Sequence, residues 1–149
     1  MALKHGSTTI TVLKHGSNTI TTGKHGSTTV FTSGSSSPSW HTILSSNFTP
    51  EPNQSGQQVC RVSSSATKIQ VTTEWYAYNI STQEENYIKE EQQEFSPSET
   101  ANFTFGASGF GYSEFNFYVN SNHVTVDSSV EEGETGVCYV TVTKVEAYY

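Results

Sequence analysis

A ten-residue unit occurs three times in succession at the start of the chain. It reads LKHGSTTITV in residues 3–12, LKHGSNTITT in residues 13–22 and GKHGSTTVFT in residues 23–32. Each unit joins a β-branched run to a Lys-His-Gly-Ser break, where glycine permits a turn. Because strand side chains alternate and ten is even, Ile10, Ile20 and Val30 share one face if the path stays extended. If the glycines turn instead, the three units form a small antiparallel meander.

The apolar content of this segment is too small for it to be stable alone. Its apolar residues are Leu3, Ile10, Val12, Leu13, Ile20, Val30 and Phe31. Burying them contributes less free energy than ordering the backbone of residues 1–33 costs, and short strands form few hydrogen bonds. We therefore predict that residues 1–33 are an assembly arm or connector, which docks on another copy of the protein.

The charges of the chain are divided unevenly between the arm and the rest. Residues 1–33 contain three lysines and no carboxylate, a net charge of +3. Residues 34–149 contain four basic side chains and all 14 acidic ones, a net charge of −10. Complementary fields favour contact between the arm and the acidic part of a neighbour, although the lysines would also serve simply to keep the arm in solution. An acidic body repels phosphates, so nucleic acid is not an expected partner.

Residues 34–38 are a Ser/Gly linker by composition, and residues 39–149 form the body. In the body, runs rich in Val, Ile, Thr, Tyr and Phe are separated by clusters of Gly, Pro, Asn and Ser. The runs cover residues 40–44, 57–63, 68–80, 87–95, 101–105, 114–119, 123–127 and 137–147. The sequence therefore predicts an all-β chain whose body is a single jelly-roll or β-sandwich domain of about eight antiparallel strands.

Alternation of residue types assigns the faces of several runs. One face of each run carries Ile69, Val71, Thr73, Trp75 and Ala77; Phe103 and Phe105; Phe115, Phe117 and Val119; or Cys138, Val140 and Val142. One segment departs from this pattern, because Ser81-Thr82-Gln83-Glu84 resembles a helix capping box before a Glu-rich stretch. We favour a strand there.

No residue pattern in the chain indicates catalysis. Residues 106–111, GASGFG, match a phosphate-binding loop only superficially, because no helical pattern or suitable lysine follows, so we interpret them as a loop between strands. His5, His15 and His25 lack chelating spacing, so no metal or other cofactor is expected. A set of carboxylates is interpreted as a solvated acidic face: Glu84, Glu85, Glu90, Glu91 and Glu94. We expect that the chain is not an enzyme.

Two cysteines, Cys60 and Cys138, lie in strand-like runs, and neither belongs to a Cys-x-x-Cys pair. Three arrangements are open. A disulfide between them would close a loop of roughly 80 residues and contribute on the order of 4 kcal/mol to stability. The other two are a pair of buried free thiols and a bond between subunits.

The sequence also bears on location. No run of about 18 apolar residues occurs, so membrane insertion is not expected. Residues 1–6, MALKHG, lack the apolar core of a secretory signal. We expect the protein at an extracellular, cell, spore or virion surface, reached without a recognisable signal peptide.

Two segments of the body enter or form strands, SPSETANFT at residues 96–104 and ETGVCYVTV at residues 134–142. They resemble segments of the small jelly-roll subunits of bacterial endospore appendages. Those subunits stack into fibres through β-sheet augmentation and insert an N-terminal connector into a neighbour, and the resemblance implies the same for this chain. The connectors of that family carry cysteines that join subunits, whereas this arm has none, so covalent cross-linking through the arm is not implied.

The leading hypothesis is a structural subunit that self-assembles into an extracellular fibre or filament, with its arm docked on a sheet edge of the next copy. One alternative is a trimeric phage or viral fibre with a repeat shaft and a receptor-binding β-sandwich head. A second is a secreted carbohydrate-binding module that exposes Trp40, Trp75 or Tyr76 to a glycan. The expected partner is the protein itself, and the alternatives add a surface receptor or a glycan.

Overall fold

The computed structural model describes residues 4–5, 8–9, 13–15, 18–20, 22–25, 28–32 and 38–149. The chain divides into two compact units, residues 1–37 and residues 38–149. Regular structure in the described residues consists of β-strands, so the prediction of an all-β chain is confirmed. Within those residues there is no helix long and apolar enough to cross a membrane.

The arm forms three separate two-stranded antiparallel hairpins, one in each repeat. The strands are β1 (Lys4–His5), β2 (Thr8–Thr9), β3 (Leu13–His15), β4 (Asn18–Ile20), β5 (Thr22–His25) and β6 (Thr28–Thr32). In the first hairpin His5 pairs with Thr8, and the sequence between them is Gly-Ser, which two-residue hairpin connections favour. In the described residues each hairpin thus centres on one Lys-His-Gly-Ser break, and the third also takes in Thr22 from the end of the second repeat, instead of forming the meander that we considered.

Eight further strands form the body. They are β7 (Trp40–Thr42), β8 (Gln57–Arg61), β9 (Lys68–Asn79), β10 (Glu84–Phe95), β11 (Thr100–Ala107), β12 (Gly111–Asn120), β13 (His123–Glu131) and β14 (Gly136–Tyr148). One four-stranded sheet has the order β10-β9-β14-β7, and the other has the order β11-β12-β13-β8. All pairs are antiparallel. The predicted β-sandwich of about eight antiparallel strands is confirmed.

The core lies between the two sheets and is built by strand alternation. The predicted inward face of β9, from Ile69 to Ala77, is buried, and Trp75 in its middle is fully enclosed. Phe103 and Phe117 meet it from the opposite sheet and contact each other edge to face, with ring centroids 5.3 Å apart. Burial of these large aromatic side chains is the main stabilising contribution of the sandwich.

Two β-bulges change the parity that simple alternation predicts. In β14 the register shifts at Thr143, so the buried positions move from Val140 and Val142 to Val145. In β10 the register shifts at Ile88. A bulge places one extra residue in a strand and so moves the following residues to the other face. The inward face therefore stays apolar along the whole of β14.

The turns between strands follow the sequence closely. Residues 81–83 belong to the turn that joins β9 to β10, and Gln83 adopts a positive φ of 58° there. The preferred strand at Ser81-Thr82-Gln83-Glu84 is therefore wrong for its first three residues, which form neither helix nor strand. Of the predicted loop at residues 106–111, only residues 108–110 connect β11 to β12, and the rest belong to the two strands. A Cβ added at Gly133 would overlap the carbonyl oxygen of Gly109 in this connection. Glycine thus permits two turns to pack backbone against backbone.

Candidate functional site

The sheet edges of the body are the surfaces on which an assembly function would depend. An edge strand presents unpaired N–H and C=O groups, so folded proteins protect it with charges, bulges, short length or cover. Of the strands in residues 38–149, the edges are β10 and β7 in one sheet and β11 and β8 in the other. We compared the four edges for these protective features.

Strand β10 is long and strongly protected. It spans 12 residues and contains five glutamates, one lysine and the bulge at Ile88. The hydroxyl of Thr73 on β9 donates to the backbone carbonyl of Glu91, so the backbone groups of Glu91 point towards β9. Backbone groups alternate in direction along a strand, so those of Glu90 and Gln92 point to the free edge. Charge repulsion and the irregular register both disfavour pairing with a further strand there.

A charged cluster lies at the seam between β10 and the opposite sheet, which is the place where side chains of β10 contact β11. Lys89 forms an ion pair with Glu91 at 2.9 Å, and its ammonium lies 5.5 Å from the ring centre of Phe105 on β11. Trp75 donates its indole N–H to Glu91 at 3.2 Å. Burial raises the pKa of Glu91, but hydrogen bonds from Lys89, Gln93 and Trp75 outweigh it and leave the pKa lowered. Glu91 is thus an inward-pointing charge that is held ionised.

The edges β7 and β8 are protected by their shape. Strand β7 has only three residues, and β8 has five residues with a register shift at Val59. The rest of β14 next to β7 is covered, because Phe48 exchanges two backbone hydrogen bonds with Val142, at 3.0 and 2.7 Å. Further along, Ser113 of the other sheet donates its hydroxyl to the carbonyl of Cys138 at 2.5 Å. These edges therefore offer little to an incoming strand.

Strand β11 has neither charge nor bulge, although the side chain of Gln93 covers part of its edge. Its eight residues, TANFTFGA, include no charge and no proline, and its pairing with β12 keeps one register from end to end. The side-chain amide of Gln93 on β10 donates to the carbonyl of Asn102 at 2.7 Å, from the side of β11 that does not pair with β12. The backbone groups of Asn102, and of every second residue counted from it, therefore point to the free edge. They belong to the exposed residues Thr100, Asn102, Thr104 and Gly106. In residues 38–149 the outward amides and carbonyls of Thr104 and Gly106 have no hydrogen-bond partner.

The outer face beside this edge is polar and carries one carboxylate. Asn102 donates its side-chain amide to Glu114 at 2.8 Å and to the side-chain carbonyl of Asn116 at 2.7 Å. Asn116 in turn donates to Glu114 at 2.8 Å. Glu114 is therefore fixed by two amides next to β11, where it presents negative charge to any chain that approaches the edge.

A cleft of about 740 Å³ lies elsewhere on the body. Its lining comes from β14, the β7–β8 loop and the end of β13, with single residues from β9, β10 and β12. Lining residues include Thr49, Pro52, Tyr76, Glu85, Val130 and Tyr139. A concave, largely apolar surface with a few polar groups is typical of a site for a small ligand or a protruding side chain.

Three tyrosines form a row across the outer face beside this cleft. Tyr76 is stacked on Tyr139 with ring centres 5.6 Å apart, and Tyr87 meets Tyr76 edge to face at 5.8 Å. Tyr139 donates its hydroxyl to Glu85. The hydroxyl of Tyr76 donates to Glu74 at 2.5 Å, and this hydrogen bond, with smaller contributions from burial and nearby charge, raises the pKa of Tyr76 to about 12. The stacked rings cover each other's faces, which reduces the surface left for a sugar.

The predicted arm residues are only partly within the described chain. Leu13 and Ile20 are directly opposite each other in the second hairpin. Val30 and Phe31 lie in β6, where the register shifts at Val30. Leu3, Ile10 and Val12 lie outside the described residues, as does the predicted linker except Pro38. The strand positions thus bring one pair of the predicted apolar residues together.

The two cysteines are free thiols on different sheets. Cys60 lies in β8 and Cys138 is buried in β14. Burial raises the pKa of Cys60 to about 11 and also raises the pKa of Cys138. Both thiols are therefore protonated at neutral pH and react slowly. Within one chain the structure has no bond between Cys60 and Cys138, and a bond between subunits stays a prediction.

Other predicted residues take different positions from those expected. Trp75 is fully buried, so it cannot serve as the glycan platform considered above, whereas Trp40 is partly exposed beside Tyr148. The interpretation of five glutamates as a solvated face is wrong for Glu91, because its side chain is only 25% exposed and bonds Trp75. Counting back in steps of two from the buried Phe95 would have assigned Glu91 to the inner face.

Comparison with protein-family models, with curated proteins and with solved structures finds no match to this chain.

Proposed function

We propose that this protein is a structural subunit that self-assembles into an extracellular fibre or filament, in which the arm of one copy docks on a sheet edge of the next. One observation carries this proposal: each repeat of the arm forms its own two-stranded hairpin. An isolated two-stranded hairpin is at best marginally stable in water and gains from a third strand. The arm therefore consists of three hairpins, any of which would gain stability by joining a sheet.

The distribution of charge supports the same function. The arm carries +3 and the body −10, so the arm of one copy is attracted to the body of another. Attraction of this kind speeds encounter and orients the two surfaces before strand pairing begins. The function is structural, needs no catalytic group and no cofactor, and uses a second copy of the chain as its partner.

Removal of residues 1–37 tests this proposal. The full chain should form assemblies whose sedimentation coefficient grows with protein concentration, whereas the shortened chain should sediment as a monomer with an unchanged β-rich circular dichroism spectrum. Negative-stain images should show filaments for the full chain alone. Filaments that persist after the truncation would contradict the proposal.

A second candidate function is favoured by the cleft. Its volume of about 740 Å³ and its mixed lining suit recognition of a receptor side chain or glycan, as in the head of a trimeric phage or viral fibre. Light scattering separates the two candidates, because a closed trimer has one fixed mass and a filament grows with concentration. A variant made to alter the cleft should leave Phe115 unchanged, because that ring also belongs to the core.

A further inference from the structure

We propose that the free edge of β11 is the acceptor site of this assembly, and that its occupant is β6, Thr28–Thr32, of a second copy. The inference rests on the proposed function and adds the place of contact. A strand that joins β11 extends the sheet β11-β12-β13-β8 by one member. Main-chain hydrogen bonds then supply affinity, and side chains at alternate positions supply selectivity.

The choice of β11 follows from the condition of the four edges. Strand β10 is protected by glutamates, by the inward pair Lys89 and Glu91, and by a bulge. Strands β7 and β8 are short, and β8 is also bulged. Among the edges in residues 38–149, β11 alone combines eight residues, an unbroken register and no charge. An edge of this kind is normally avoided unless it is used.

The groups at the β11 edge are ready to pair. Thr104 and Gly106 direct their amides and carbonyls outward, and in residues 38–149 these have no partner. Asn102 directs its carbonyl the same way, and Gln93 occupies it at 2.7 Å as a substitute for a strand. On the inner side Phe105 is half-buried, whereas Phe103 on the same strand is fully buried. An added strand would therefore also cover apolar surface that the body leaves open.

Strand β6 fits this edge better than the other arm strands. It is the longest of the six described strands of the arm, with five residues, and its sequence TTVFT is uncharged and β-branched or aromatic. Its partner β5 lies on one side only, so β6 can pair with β5 and β11 together. The arm contains no carboxylate and Lys24 precedes β6, whereas Glu114 lies beside β11. Charge complementarity therefore favours the arm over a second copy of β11.

The acceptor is tested by Thr104→Pro in the full chain. Proline removes the outward amide and breaks no bond to β12, a position where sheets tolerate proline. We expect the concentration for half-assembly to rise by about tenfold, the effect of losing roughly 1.4 kcal/mol. The matched control is Gln92→Pro, which removes an outward amide of β10 and should leave assembly unchanged. Both variants are checked by thermal unfolding, and any loss of assembly counts only in variants that keep their melting temperature.

A second variant is expected to strengthen assembly, so the test does not depend only on variants that weaken it. Gln93→Ala removes the side-chain amide that competes for the carbonyl of Asn102, so assembly should begin at a two- to threefold lower concentration, in proportion to a fraction of one hydrogen bond. The lowered threshold counts only if the variant keeps its melting temperature and forms filaments in negative-stain images, because Gln93 also donates to Glu91. If Gln93→Ala weakens assembly or leaves it unchanged, and a folded Thr104→Pro chain assembles normally, β11 is not the acceptor.

The donor is tested by Val30→Pro in β6 against Ile20→Pro in β4. The first change should weaken assembly strongly and the second only slightly. Equal effects would overturn the assignment of β6. If assembly requires the arm but is unaffected by Thr104→Pro, β11 is not the acceptor, whereas the proposed function still holds. Dimers that persist after truncation and are abolished by Thr104→Pro would instead identify β11 pairing with its own copy.

Discussion

Strands β10 and β11 are consecutive in the chain and lie at the edges of the two sheets, yet they differ in almost every feature that governs edge pairing. The longer strand, β10, carries five glutamates, a lysine and a bulge, whereas β11 carries no charge and keeps a regular register. Protection against pairing with a further strand is therefore a property of each edge and not of the body as a whole. If the arm pairs with β11 as proposed, assembly is head to tail, because the contact joins two different surfaces.

The largest expected effect concerns the core that supports both edges. Phe103→Ala on β11 should lower the free energy of unfolding by about 3–5 kcal/mol, because the ring is fully buried against Phe117. Phe105→Ala on the same strand should cost less, because that ring is half-buried. Urea unfolding followed by Trp75 fluorescence in a Trp40→Phe background measures both. If the Trp75 transition does not shift with Phe103→Ala, the two edges do not share one cooperative core.

The next effect tests the protection of β10. Glu90→Thr with Glu94→Thr makes the outward face of β10 uncharged in the segment after the bulge, so the soluble concentration should fall by about tenfold, which corresponds to roughly 1.4 kcal/mol of added association. Turbidity and sedimentation after concentration provide the measurement. The control, Glu131→Thr with Glu134→Thr, changes the net charge equally at residues outside β10. Equal aggregation of both variants would attribute solubility to net charge and not to the edge.

A smaller effect is expected at the seam between the two strands. Lys89→Met keeps the apolar stem but leaves Glu91 without its cation, which should lower the free energy of unfolding by about 1 kcal/mol. Lys68→Met removes a more exposed ion pair with Glu94, and exposed pairs contribute roughly 0–1 kcal/mol. Chemical denaturation should therefore rank the two variants in this order, and a reversed order would show that the Lys89 cluster does not stabilise the seam.

The smallest effect is a dependence on pH. Because the pKa of Glu91 is lower in the folded protein than in the unfolded chain, its contribution is present above the unfolded pKa of about 4.3 and is lost as the pH falls through the folded pKa. Glu91→Gln should therefore show a weaker loss of stability on acidification than the parent chain. Glu90→Gln, on the solvent side of β10, provides the control. Identical acid profiles for Glu91→Gln and the parent would contradict the assigned ionisation.

The sequence by itself determined the elements and most of their faces. Strand side chains alternate, so apolar residues at every second position identified the buried side of β9 around Trp75 and that of β12 around Phe117. Turn residues separated the strands, although β10, β12 and β13 run further than the predicted runs, and for the arm the sequence left open an extended path and a turn at each Lys-His-Gly-Ser break. These features are local, because they depend on residues a few positions apart.

Only the tertiary structure decided which strands became edges. The protection of β10 by Lys89 and Glu91, and the outward direction of the Thr104 amide, depend on neighbours that are distant in the sequence. Bulges at Ile88 and Thr143 likewise follow from the register between paired strands. Strand order is a choice among long-range pairings of similar local propensity, and the energy that selects one of them comes from packing both sheets around a single core.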